Sequence, residues 1–226
     1  MKLTSETTAF LERCVWPKVL SQSDKEIAYS ALVEQDYPAG ALVCERQELA
    51  KSWIGVVDGF LRVQDTTANG RHVMFTGVAR GGWIGEGSLL KIEKRKYEIV
   101  ATRATRTVQL PRSTFLALLD RSIAFNHFLL DHLNERLSQF IATMKFDRLL
   151  EPTPRVARGI ASLYHPVLYP NTEPTLRVSQ EELAWMVGVS RQRVNIAMRQ
   201  LEDEGIVKNG YSSITVIDLQ KLSQYE

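Results

Sequence analysis

The sequence predicts an α+β fold in three parts, and three features carry that reading. Nine of the 13 glycines crowd between Gly40 and Gly87. The stretch from about Arg112 to Arg158 contains none and repeats its apolar residues at helical spacing, and two short capped helical patterns meet at Gly188. At 226 residues the chain has room for two ordinary domains, each able to bury a core. Hydrophobic residues at 44% and charged residues at 24% are globular proportions, which argue against wholesale disorder and against a membrane protein. The only cysteines, Cys14 and Cys44, form no CxxC pair, so no iron–sulfur cluster or thiolate zinc site is expected. Residues 1–20 are interrupted by Glu6, Glu12, Arg13 and Lys18 and lack the apolar core of a signal peptide. No run reaches membrane-spanning length, and a reducing cytoplasm is the expected location. The net charge of +2 is too small to announce a nucleic-acid partner, so any such reading rests on local pattern.

Residues 1–121 form the first part. Glycine at that density excludes long helices. Between the glycines sit short β-prone pieces: Trp53 to Val57, Phe60 to Val63, His72 to Phe75 and Ile99 to Thr102, with Asn69-Gly70 as a hairpin turn signal. These predict an antiparallel β-roll or barrel flanked by short N-terminal helices.

Residues 122–150 read as one long helix. Phe125, Leu129, Leu133, Leu137, Phe140 or Ile141, and Met144 recur by threes and fours, while Asn134, Glu135, Ser138 and Gln139 face elsewhere. More than six turns of helix outreach a small β-roll, so a second copy of the same helix is the expected cover for the outer half, making the protein a homodimer. Leu149-Leu150-Glu151-Pro152-Thr153-Pro154 then breaks the helix and marks a domain boundary; Thr153 is suited to cap the next helix with Pro154 in its first turn.

In residues 151–226, Ser179-Gln180-Glu181-Glu182 reads as a capping box, Gly188 supplies a left-handed turn, and Ser190 is a second N-cap. Ala184 is small enough for one helix to cross the other closely, with Val189, Val194 and Ala197 filling the angle. The second helix runs from Arg191 to Glu204. Ile206-Val207-Lys208, an Asn209-Gly210 turn and Ile214 to Ile217 form a hairpin wing. This is a winged helix-turn-helix, in which the N-terminal residues of the second helix enter the DNA major groove. Arginine and amide side chains suit guanine and adenine edges, and no acidic residue lies between Glu182 and Glu202. The candidate DNA-contacting residues are Ser179, Gln180, Ser190, Arg191, Gln192, Arg193, Asn195, Ile196, Arg199 and Lys208.

With these residues in place the chain resembles the CRP/FNR family of transcription regulators over nearly its whole length. Glu182-Leu183-Ala184, Gly188 to Gln192, Val194-Asn195, Leu201-Glu202 and Glu204-Gly205-Ile206 carry the specific part of the likeness; Gly59, Gly70, Gly82 and Gly85 to Leu90 resemble that family's turn glycines and phosphate-binding cassette. The resemblance implies a cyclic-nucleotide-binding-type β-roll, a dimerisation helix, an allosteric effector, an inverted-repeat operator in double-stranded DNA and, for an activator, contact with RNA polymerase. It implies a ligand set of Gly85, Glu86, Ser88, Arg95, Lys96, Tyr97 and Phe140. The arginine that would clamp a cyclic phosphate falls on Lys96 or, with a one-residue shift, on Arg95. Tyr97 replaces a small hydroxyl residue, and Phe140 and Ile141 replace the hydroxyl pair that reaches adenine. Ile196 stands where the best-known members carry a further base-reading arginine. These departures argue against cyclic AMP; the basic run Lys91, Lys94, Arg95 and Lys96, mixed with Glu93 and Glu98, reads as a solvated loop or, more sharply, as a site for cyclic di-GMP or another small anionic effector, with no motif specific to either.

Two other function classes compete. An enzyme with a regulatory nucleotide domain would need a catalytic constellation, yet His72, His127, His132 and His165 are scattered and no nucleophile elbow or phosphate loop occurs. A ligand-independent DNA-binding regulator would use the β-roll as a protein-interaction surface.

Overall fold

The computed structural model describes residues 3–66, 72–170 and 172–226, with His72 and Val73 as backbone only. The Asn69-Gly70 turn lies outside the described residues. Helix α1 (Ser5–Arg13) is capped by the Thr4 hydroxyl, a short 3-10 turn follows at Trp16–Lys18, and α2 (Gln22–Ala31) is capped by Ser21. The strands are β1 (Val33–Tyr37), β2 (Leu42–Cys44), β3 (Ser52–Asp58), β4 (Phe60–Thr66), β5 (His72–Ala79) and β6 (Trp83–Ile84). After α3 (Glu86–Lys91) come β7 (Glu98–Ala101) and β8 (Thr105–Pro111). They pair as two antiparallel four-stranded sheets, ordered β1-β8-β3-β6 and β2-β7-β4-β5, which is the expected roll.

The roll has two apolar regions. Its interior is filled by Cys44, Ile54, Val56, Leu61, Val63 and Ile99, with Tyr97 against them. A second cluster joins the roll to the flanking helices and is built on aromatic rings: Trp53 and Trp83 lie 4.3 Å apart between centroids, with Trp16, Phe115, Phe125 and Phe128 around them. Rings of this size bury large apolar areas and account for the close seating of the helices on the first sheet.

The glycine-free stretch before Pro152 holds a second helix ahead of the long one. It divides into α4 (Arg112–Arg121) and α5 (Ile123–Leu149). At Ser122 the backbone is extended (φ −120°, ψ 103°) and the hydroxyl accepts the Phe125 N–H at 3.1 Å, so the break is also the N-cap of α5. The apolar stripe expected along α5 also divides. Phe125 and Leu129 are buried in the aromatic cluster and Leu133 packs on it, whereas Leu137, Phe140, Ile141 and Met144 are exposed, joined by Ile123 and Leu130. Each four-residue step advances about 40° round a helix, so three successive steps carry Leu137 roughly 120° away from Phe125.

The C-terminal part contains α6 (Pro152–Ser162), β9 (Thr175–Leu176), α7 (Gln180–Val187), α8 (Arg191–Asp203), β10 (Val207–Gly210), β11 (Ser213–Val216) and α9 (Leu219–Gln224), with a small sheet ordered β10-β11-β9. Helix α6 begins two residues before the position expected from Thr153. Glu151 is its N-cap without a side-chain bond, and Pro152 takes the first turn, where its missing N–H costs nothing. The Thr153 hydroxyl instead donates to Gln200 at 3.2 Å. The core of this part includes Phe60 and Ala79 from the roll. Gly77 allows that join, since a Cβ there would stand 2.2 Å from Phe60 Cζ.

Candidate functional site

Helix α7 opens with both halves of a capping box: Glu182 N–H donates to Ser179 Oγ at 3.1 Å, and Ser179 N–H donates to the Glu182 carboxylate at 2.8 Å. Gly188 ends the helix at φ 64°, ψ 32°, a left-handed conformation that turns the chain into Ser190, whose hydroxyl accepts the Arg193 N–H. Ala184, Val194 and Ala197 are buried in the angle between the two helices, with Val189 partly buried against them. Four candidate residues, Arg191, Gln192, Ile196 and Arg199, are exposed and lie on one side of α8 at positions i, i+1, i+5 and i+8. Arg193 is exposed but off that face. Asn195 is half-buried and donates to Gln180 at 3.2 Å, so these two amides brace α7 against α8. Among the described residues no carboxylate forms an ion pair with Arg191, Arg193 or Arg199. Their charge is available to phosphates and base edges.

The wing turn differs from the expected one. Asn209 and Gly210 belong to β10, and the turn is Tyr211-Ser212, with Ser212 at φ 50°. Asn209 is held in the strand because its N–H and its side-chain amide both donate to the Glu202 carboxylate, at 2.8 and 2.9 Å. The turn thereby carries Tyr211, fully exposed, to the wing tip beside exposed Lys208. Sequence reasoning overlooked Tyr211; an aromatic residue next to a turn glycine was the only available signal.

The reading head is tied to the roll through Glu182. Besides capping α7, its buried carboxylate accepts from Arg103 Nη1 and from the Thr102 hydroxyl, each at 2.6 Å. Arg103 also donates to the Gly59 carbonyl at 3.1 Å and to the Arg177 carbonyl. Alongside, the Arg62 guanidinium lies 4.8 Å from the Trp185 ring centroid, a cation–π contact between β4 and α7.

At the cassette the structure separates residues that the sequence grouped. Gly85 adopts φ 108°, and a Cβ there would lie 2.9 Å from Arg95 Nη1. Arg95, only 2% exposed, reaches this turn, donates from Nη2 to the Ser52 carbonyl at 3.1 Å, and leaves Nη1 buried without a partner. Lys96 is exposed and pairs with Glu93 at 3.6 Å, so the cation at the cassette is Arg95. Tyr97 is half-buried against the roll interior, and burial, with Glu86 nearby, raises its phenol above the usual range. Ser88 is buried. Glu86 is buried too, accepting from Trp53 Nε1 at 3.2 Å and standing 3.7 Å from His132 Nε2. Phe140 is exposed on α5, among groove residues that include none of the cassette. His132 was one of the scattered histidines, and only the fold reveals that it faces Glu86. Among the described residues no cluster of three or more metal-ligating side chains occurs, and no helix is long and apolar enough to cross a membrane.

Comparison with known proteins gives two family models. The cyclic nucleotide-binding domain matches residues 34–122, and the Crp-like helix-turn-helix domain matches residues 154–225. The chain is 28% identical over 207 residues to the cyclic AMP receptor protein of Thermus thermophilus, covering 91% of this chain and 93% of that relative. It is 27% identical over 173 residues to the transcriptional regulator SdrP of the same organism, covering 75% and 81%. Among solved structures, FixK2 from Bradyrhizobium japonicum shares the fold, with a TM-score of 0.71 at 17% identity and coverage of 86% and 97%.

The His132 environment makes a testable demand. Burial pushes its imidazole down to about 4; Glu86 opposes that shift, while Arg136 and His165 add to it. The folded state therefore holds the ring neutral where the unfolded chain, near 6.5, begins to take up a proton. This contribution to stability is present above pH 6.5 and is lost as pH falls towards 4. Thermal unfolding at pH 7 and pH 5 should show a smaller drop for His132→Gln than for the wild type; equal drops would show that His132 does not titrate in this way.

Proposed function

The chain is a DNA-binding transcription regulator of the CRP/FNR type, a cyclic nucleotide-binding-like domain joined to a Crp-like helix-turn-helix domain, and from this premise we propose that it acts as a two-fold dimer on an inverted-repeat operator, controlled by a small anionic effector at Arg95. The observation that carries the control is the shared carboxylate of Glu182. A shift of the loop bearing Thr102 and Arg103 moves the start of α7, and α8 is braced on α7. Arg95 supports the anionic effector, since a buried guanidinium with an unpaired Nη1 favours a negative group beside it. Cyclic AMP fits less well: Glu86 is buried and accepts from Trp53 Nε1, and Tyr97 fills space at the roll.

Dimerisation is supported by α5, on which Ile123, Leu130, Leu137 and Met144 recur every seven residues and stay exposed. A seven-residue apolar repeat is the pattern of a helix that packs against a parallel copy of itself. Two recognition helices would then face DNA half-sites about 34 Å apart. In this reading Arg191 and Gln192 read base edges, Ile196 meets a thymine methyl, and Ser179, Gln180, Ser190, Arg193, Asn195, Arg199 and Lys208 hold phosphates or position the readers. The protein works in the cytoplasm, and RNA polymerase is a further partner where it activates.

Three experiments test these parts. Arg191→Ala should lose about 1–3 kcal/mol on the operator and little on random DNA; equal losses would reduce Arg191 to a phosphate contact. Leu137→Glu should sediment as a monomer at micromolar concentration, and a dimer that still binds DNA would place the seam elsewhere. Calorimetric titration should give millimolar affinity for cyclic AMP; a low-micromolar constant with tightened DNA binding would remove the argument against that ligand.

A further inference from the structure

A groove of about 350 Å³ lies where the roll, the long helix and the reading head meet. Its apolar wall is formed by Phe75 of β5, Phe140 and Phe146 of α5, Ala161 of α6, and Met186 and Val187 at the end of α7. None of the cassette residues borders it. Ala142 and Phe146 border it from a side of α5 away from Leu137, Ile141 and Met144, while Phe140, at the edge of the exposed seam, borders both.

The polar wall holds the guanidinium groups of Arg155 and Arg158 with the carboxylates of Asp147 and Glu135. Arg155 gives Nη2 to Asp147 at 2.6 Å and to the Val187 carbonyl at 2.7 Å, while its Nε is buried without a partner. Arg158 donates to the carbonyls of Ser223 and Tyr225 and stacks 5.5 Å from the Phe146 ring centroid. Among the described residues no carboxylate comes within ion-pair distance of Arg158. His165 and Glu135, also on this wall, are hydrogen-bonded to each other at 3.1 Å. Of the two guanidinium groups only Arg155 has a carboxylate partner among the described residues, and three aromatic rings and a volume in the range of small-molecule sites lie beside them.

We propose that this groove is a second ligand site and that it takes an amphiphilic anion, a flat aromatic body carrying one acidic group. The acidic group meets Arg158 and the free edge of Arg155, and the ring system lies between Phe146, Phe75 and Met186. Met186 and Val187 immediately precede the Gly188 turn, so an occupant bears directly on the angle at which α8 is presented. The site does not depend on Arg95 or on any effector in the roll.

The test uses the full chain and 8-anilinonaphthalene-1-sulfonate, an aromatic monoanion whose fluorescence rises on burial, with neutral N-phenyl-1-naphthylamine beside it. The wild type should bind one sulfonate probe per chain, saturably, in the micromolar range. Arg158→Gln should weaken the sulfonate probe about tenfold or more while leaving the neutral probe nearly unchanged, the loss expected for one charge-assisted contact. Ala142→Trp fills the groove from α5 and Ala161→Trp fills it from α6; either should abolish binding of both probes, and having two filling variants guards against misfolding of one. Unchanged sulfonate binding in folded filling variants would overturn the proposal, as would equal weakening of both probes by Arg158→Gln.

Discussion

A carboxylate taken out of water is tolerated only where donors surround it, and Glu182 meets that condition with donors from both halves of the molecule. The Ser179 N–H comes from its own helix, and Arg103 and the Thr102 hydroxyl come from the roll. Helix α7 can keep its capped start in a dry position only while the roll is docked against it. The recognition helix inherits that constraint, because Asn195 holds α8 to Gln180 in the first turn of α7. In the proposed control, a change in the loop between β7 and β8 would reach the DNA-reading face through these hydrogen bonds.

Packing reinforces this polar link. Phe60 and Ala79 leave the roll to join the core of the reading head, and the Tyr169 hydroxyl donates back to the Gly77 carbonyl at 3.4 Å. Helix α5 is the common support. Phe125, Leu129 and His132 face the aromatic cluster, Arg136 donates to the Trp83 carbonyl at 2.7 Å, Leu137 and Ile141 lie exposed, and Phe146 turns towards α6. One helix therefore touches the roll, presents the apolar face proposed to meet a partner, and walls the groove beside the reading head. Rotation or translation of α5 would be felt at all three.

Where expectation and structure part, the cause is a contact that the local residue pattern does not specify. Thr153 had the chemistry of an N-cap, but Gln200 offers it a bond and Pro152 already suits the first turn. Asn209-Gly210 had the composition of a hairpin turn, yet Glu202 fastens Asn209 into the strand and moves the turn to Tyr211-Ser212. The choice between Arg95 and Lys96 could not be made by counting along the chain. It depends on which side chain fits the space that Gly85 leaves open, and burial selects Arg95.

Local physics was legible in the sequence. Glycine density excluded long helices from the roll, short β-prone pieces predicted its strands, and the capping box, turn glycine and second cap defined α7 and α8, because each depends on residues only a few positions apart. The exposed arginines of α8 were equally legible, since helical spacing and the lack of nearby acids are both properties of a short segment. The tertiary structure decided the rest: the contact of His132 with Glu86, the sharing of Glu182 between two domains, and the division of the α5 stripe into buried and exposed faces. Those outcomes rest on pairings across tens of residues, whose strength is set by burial and by exclusion of water, and neither exists until the chain has closed on itself.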